Sequence, residues 1–112
     1  MCGIVGYIGK TENHEAVIER MQERIAHRGP DGRSHYIDGD VVLGHVRLSI
    51  IDVDGGAQPM QNEDGTITII YNGEIYNYQT LRKELIAKGH VFKTNCDTEV
   101  LVHGYEEYGA DL

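Results

Sequence analysis

Residues Gly3 to Ile8 form an apolar run, punctuated by glycine, that begins two positions behind Met1. A run of this kind reads as a short buried strand. Cys2 therefore stands at the start of a strand. Asn13 can cap a helix that reaches about Ala26, with Val17, Ile18, Met21 and Ile25 recurring at three- and four-residue spacing on one inward face. His27-Arg28-Gly29-Pro30-Asp31-Gly32 then breaks regular structure into a tight, shaped loop.

Strand-like stretches follow around Ser34 to Ile37 and from Val41 to Ile51, with Asp38-Gly39-Asp40 as a hairpin turn. A polar, glycine-rich connection from Asp54 to Gly65 leads into a strand pattern at Thr66 to Tyr71, and Asn72-Gly73 comes next. Asn77 can cap a second helix through Ala87, with Leu81, Leu85 and Ile86 inward and Gly89 as its stop. Val91 to Lys93 reads as one more short strand. A last helix runs from near Asp97 toward Tyr108 on Val100, Leu101, Gly104 and Tyr105. The pattern is that of a single α+β domain without repeat or linker. The chain stops at Leu112 soon after that helix, with no closing strand, which reads as a cut through a domain.

Composition narrows the partners. With 112 residues there is room for one small domain, which buries roughly two thirds of its unfolded surface. The formal charge of -8 is not offset by any run of Lys and Arg, so binding to a phosphate backbone is opposed and nucleic acid is not expected. Nothing approaches the roughly 20 apolar residues of a membrane span, and the start lacks the features of a secretory signal. A cytoplasmic protein is the expectation. In reducing cytosol a disulfide between Cys2 and Cys96 is disfavoured. The six histidines are scattered with no helix-borne pair beside a carboxylate, so no metal site is expected.

Cys2 is the most unusual placement. If Met1 is excised, Cys2 carries both a thiol and a free α-amino group, whose ordinary pKa of about 7.7–8.0 lets it accept the thiol proton. One residue then supplies attacker and base. The plainer alternative is a small buried hydrophobe at the start of a strand.

Four blocks carry a resemblance. Met1-Cys2-Gly3-Ile4-Val5-Gly6 resembles the opening of the class II glutamine amidotransferases, a group within the N-terminal nucleophile hydrolases. His27-Arg28-Gly29-Pro30-Asp31-Gly32, Arg47-Leu48-Ser49-Ile50-Ile51-Asp52 and Asn72-Gly73-Glu74-Ile75-Tyr76-Asn77 are similar to the asparagine synthetase branch of that family. They cover the chain in the family's order. The resemblance implies the front of an α-β-β-α sandwich of two stacked antiparallel sheets with helices outside. It implies glutamine as substrate, no cofactor for this domain, and a C-terminal synthetase domain as partner. ATP and Mg2+ belong to that absent domain, which activates aspartate and takes up the ammonia. A homodimer of the full-length protein is allowed.

The same resemblance assigns roles. Cys2 is the nucleophile, and Asn72 and Gly73 form the oxyanion hole. A side-chain NH2 and an unshielded backbone N–H suit that task, although Asn-Gly is also a common turn. Arg47, at the end of an apolar strand, can clamp the α-carboxylate of glutamine, or it is a solvated edge charge. Asp97 pairs with the α-ammonium and can also cap the last helix. Glu74 and the main chain of Ile50 and Ile51 help orient the substrate. Cys96 stands where the family motif has a small hydroxyl residue, and it reads as a packing residue. Two rival readings stay open: the same chemistry delivered to another acceptor, a cell-envelope sugar or peptide, and an inert fragment whose sheet edges and apolar surface are exposed.

Overall fold

The structure is a computed structural model that describes residues 2–48 and 57–112. The chain forms two compact units, one of Met1–Ile51 with Ile70–Asn72, the other of Asp52–Ile69 with Gly73–Leu112.

The first unit is a three-stranded antiparallel sheet with a helix on one face. Strand β1 (Gly3–Ile8) and strand β2 (Gly32–Asp38) flank strand β3 (Val41–Arg47) on either side. The β2–β3 hairpin turns at Gly39, whose φ of 58° is left-handed and suits a residue without Cβ. Helix α1 (His14–Arg24) starts at Asn13, whose side chain accepts the Ala16 N–H. Alternation along β3 places Val42, Gly44 and Val46 toward α1, and Ile18 fills the space over Gly44. Gln22, on the same helix, is buried as well. Its amide donates to the carbonyls of Ser34 at 2.8 Å and His45 at 3.2 Å, which makes a polar side chain tolerable in that core.

The second unit pairs helix α2 (Tyr78–Ala87) with helix α3 (Thr98–Tyr108), beside the short antiparallel strands β4 (Met60–Gln61) and β5 (Thr68–Ile69). Met60, Leu85, Val100 and Val102 form its apolar core. Gly89, at φ 101°, ends α2 as expected.

Several expected features differ. The strand expected over Thr66–Tyr71 is ladder-paired only at Thr68–Ile69, because Asn62 takes the Ile67 N–H into a side-chain-stapled turn. Ile86 is 44% exposed rather than inward, and on α3 Val102 and His103 are buried while Tyr105 faces out. Val91–Lys93 is not a strand. The main-chain N–H groups of Lys93 and Thr94 donate to the Glu99 carboxylate instead of to a sheet.

Candidate functional site

Cys2 enters β1 through a tight contact. A Cβ on Gly3 would lie 2.9 Å from Ile25 Cδ1 and 3.1 Å from Val46 Cγ2, so no larger residue fits there without movement. The Cys2 sulfur accepts the N–H of Leu48 at 3.4 Å and lies 3.9 Å from the Leu48 carbonyl oxygen. Arg28 Nε donates to the Cys2 carbonyl at 3.1 Å. The same loop grips the end of β3: the Asp31 N–H donates to the Arg47 carbonyl at 3.0 Å, and Pro30 pairs with Arg47 in an isolated bridge. Gly29 makes this possible. Its hypothetical Cβ would fall 2.5 Å from both Arg47 N and Val46 C. The glycine-bearing loop therefore fixes Cys2 and the Arg47–Leu48 corner together, which is what a nucleophile needs if a donor is to stay aimed at its sulfur.

His45 is a member of this unit that sequence reasoning passed over. It is 2% exposed, on the face of β3 that also carries Arg47. Burial, with the Arg47 charge second, holds its pKa below the ordinary 6.5, while a hydrogen bond to the Tyr71 backbone opposes that shift. Its Nε2 has no partner among the described residues. The ring thus ties β3 to the residue immediately before Asn72. The signal was present as a polar residue inside the apolar run Val41–Val46, but strand alternation alone gives it no role.

Asn72 is exposed and is not part of a hairpin. In the second unit Gly73 and Glu74 are exposed too. Asp97 does not cap α3 with its side chain. Its backbone is already helical, and Oδ2 accepts the Ile75 N–H at 2.9 Å, fixing the segment that follows Glu74. The Cys96 thiol lies 3.6 Å from Asp97 Oδ1, and Cys96 is half-buried rather than buried. Both cysteines are free. Ile50 and Ile51 lie outside the described residues.

Glu99 is the other residue that sequence reasoning missed. Burial pushes its pKa up, but the Thr94 hydroxyl at 2.6 Å, the Lys93 and Thr94 N–H groups at 2.8 and 2.7 Å, and His103 at 2.9 Å hold it below the ordinary carboxylate value. It anchors the Lys93–Thr94 turn in front of Asp97.

Among the described residues no helix is long and apolar enough to cross a membrane. The chain is 50% identical over 113 residues to asparagine synthetase [glutamine-hydrolyzing] 1 of Bacillus subtilis, covering 96% of this chain and 18% of that protein. It is 48% identical to asparagine synthetase [glutamine-hydrolyzing] 1 of Arabidopsis thaliana, covering 100% of this chain and 19% of that one. Identity to a probable asparagine synthetase [glutamine-hydrolyzing] of Dictyostelium discoideum is 43%, over 100% of this chain and 21% of the relative. The chain thus spans about a fifth of the length of these relatives. The pattern of the glutamine amidotransferase domain family matches residues 1–112, so a chain with this clamped cysteine belongs, along its whole length, to that family of domains.

Proposed function

We propose that this chain is the front part of a domain that hydrolyses glutamine to glutamate and ammonia, with Cys2 as nucleophile once Met1 is removed. The observation that carries the reading is the Leu48 N–H directed at the Cys2 sulfur, in a corner clamped by Arg28, Gly29 and Asp31. The α-amino group of Cys2 takes the thiol proton and the sulfur attacks the side-chain carbonyl carbon of glutamine. A C–S bond forms and the carbonyl becomes an oxyanion, for which the Asn72 amide and the Gly73 N–H are the donors. Collapse expels ammonia, which leaves with the proton held by the amine. Water then adds to the γ-glutamyl thioester, the C–S bond breaks, and glutamate departs as the thiol is restored.

Arg47 binds the α-carboxylate and Asp97 the α-ammonium, with Glu74 and the main chain of Ile50 and Ile51 orienting the rest. Recognition of both charges favours free glutamine over peptide amides. This half needs no metal or organic cofactor. Ammonia passes to a C-terminal synthetase domain that uses ATP and Mg2+ to amidate aspartate, in the cytoplasm and in a full-length protein compatible with a homodimer. Support for that acceptor is the shared naming of the relatives. The first unit, with one sheet face under α1 and apolar side chains open on the other, suits the front of an α-β-β-α sandwich.

The test is the intact mass of the protein after exposure to diazo-oxo-norleucine, with N-terminal sequencing. One adduct on Cys2 of a Met-free chain is expected. A folded, Met-free, complete protein that takes up no adduct would overturn the assignment of Cys2.

A further inference from the structure

Two histidines distant in sequence meet in the second unit. One follows α2 and the other lies in the middle of α3. His90, His103 and Glu106 each place one ligand atom within 4.8 Å of the other two. The Glu106 Oε1 atom is 2.6 Å from His103 Nδ1 and 3.9 Å from His90 Nδ1. Glu63, in the β4–β5 turn, brings Oε1 to 3.4 Å from the same His103 nitrogen. We infer that His90 Nδ1, His103 Nδ1 and Glu106 form a binding site for a zinc-class divalent cation, with Glu63 within reach as fourth ligand.

Three observations carry this. The first is spacing. Donors around a tetrahedral zinc at about 2.0–2.1 Å stand roughly 3.3 Å apart, and the observed 2.6 and 3.9 Å bracket that separation. All three ligand atoms lie within 4.8 Å of one another, so side-chain movement must draw them together to close the shell.

The second is the outer shell. A ligating imidazole usually gives its other ring N–H to a carboxylate, which fixes its tautomer and orientation. His103 is arranged in that way, its Nε2 lying 2.9 Å from Glu99, while His90 Nε2 has a longer ion-pair contact with Glu107 at 3.5 Å. Glu99 is itself held by three further donors, so it cannot swing away. Phe92 covers the His103 ring at 4.5 Å between centroids, excluding water from that side.

The third is the concentration of negative charge. Glu106 and Glu63 both face the Nδ1 of the buried His103 ring, with the His90 ring beside it at 5.6 Å between centroids, so the place attracts a positive charge. A proton on His103 is the alternative to a metal. The ion would join α3, the segment after α2 and the β4–β5 turn. It takes no part in glutamine hydrolysis. Sequence spacing alone does not show this constellation, because its histidines are brought together by the packing of α2 on α3.

The experiment uses the complete protein, stripped with chelator, and titrates Zn2+ by calorimetry and Co2+ by visible absorption near pH 7.5. One saturable Zn2+ per chain is expected, with a raised melting midpoint and a cobalt spectrum lacking a thiolate charge-transfer band. His90→Ala and Glu106→Gln should each weaken binding at least about tenfold. Both positions are partly exposed, and circular dichroism of each metal-free variant guards against a folding failure. No zinc uptake would mean that a proton fills the place, and overturns the proposal. So would zinc binding unchanged in both variants, or a cobalt complex with a thiolate band, which would put the metal on a cysteine.

Discussion

His45 shows how one side chain can couple a strand to a candidate site residue. Its ring sits between the Arg47 charge on its own strand and the Tyr71 backbone, with Gln22 bonded to its carbonyl from α1. Its folded pKa lies below the ordinary 6.5, so the unfolded chain takes up this proton at the higher pH. The stability it contributes is therefore complete above pH 6.5 and is lost as pH falls through the folded value. An NMR titration of its Cε1–H signal should give a midpoint below 6.5, and a midpoint above it would remove the argument. Arg47 predicts a different signature. Arg47→Ala should raise KM for glutamine by about tenfold or more while changing kcat little, since in the proposed function it holds a part of the substrate that does not react. An unchanged KM would take Arg47 out of the substrate site. At this scale the sequence was legible where the chain chemistry is local. A cysteine behind Met1 and an arginine ending an apolar strand are visible as candidates from the sequence, and the fold brings Cys2 beside the corner that follows Arg47. His45 and Glu99 do not, since their partners are main-chain groups whose positions only folding decides.

Among elements, the loop from His27 to Gly32 and the turn before α3 do parallel work, each using main-chain contacts to fix a candidate site residue. The loop depends on close approach. Gly29→Ala places a Cβ within 2.5 Å of two backbone atoms of β3, where no flexible side chain can yield. It should cost about 2–3 kcal/mol in urea unfolding and reduce Cys2 labelling by diazo-oxo-norleucine. A variant as stable and as readily labelled as the parent would show that the loop is not the clamp. The turn depends on a buried carboxylate. Glu99→Gln removes charge from three main-chain and hydroxyl hydrogen bonds and should cost about 2–3 kcal/mol, read in the same way. The start of α1, the stop at Gly89 and the hairpin at Gly39 were legible, because capping and left-handed turns are short-range physics, whereas Asn77 stands before α2 without the expected side-chain capping bond. Val91–Lys93 was not legible. Two apolar residues followed by a lysine carry no signal of their own against a carboxylate six positions ahead of Lys93 that takes its N–H.

For the whole molecule the informative surface is the sheet face opposite α1. Tyr7 meets His14 of α1 at 2.6 Å, so the alternate residues Ile4 and Ile8 point the other way. They are 45% and 81% exposed, and Val41, the register partner of Ile8, is 37% exposed. This face also carries His45 and Arg47, so an apolar surface continues directly into the candidate site. The sequence reads β1 as a short buried strand, whereas Ile4 and Ile8 are exposed, because an apolar run does not say which layer covers each face. In the four-layer arrangement a second sheet lies on these side chains, roughly 10 Å away. Ile4→Lys distinguishes the cases. On an open face it changes stability by no more than about 0.5 kcal/mol, the usual surface range. Beneath a second sheet it buries an ammonium without a partner and should cost about 3 kcal/mol or more. Thermal unfolding of the 112-residue chain and of the complete protein, each with and without the substitution, gives the answer. A small shift in the first and a large one in the second is expected, and a small shift in both would exclude a covering sheet over Ile4.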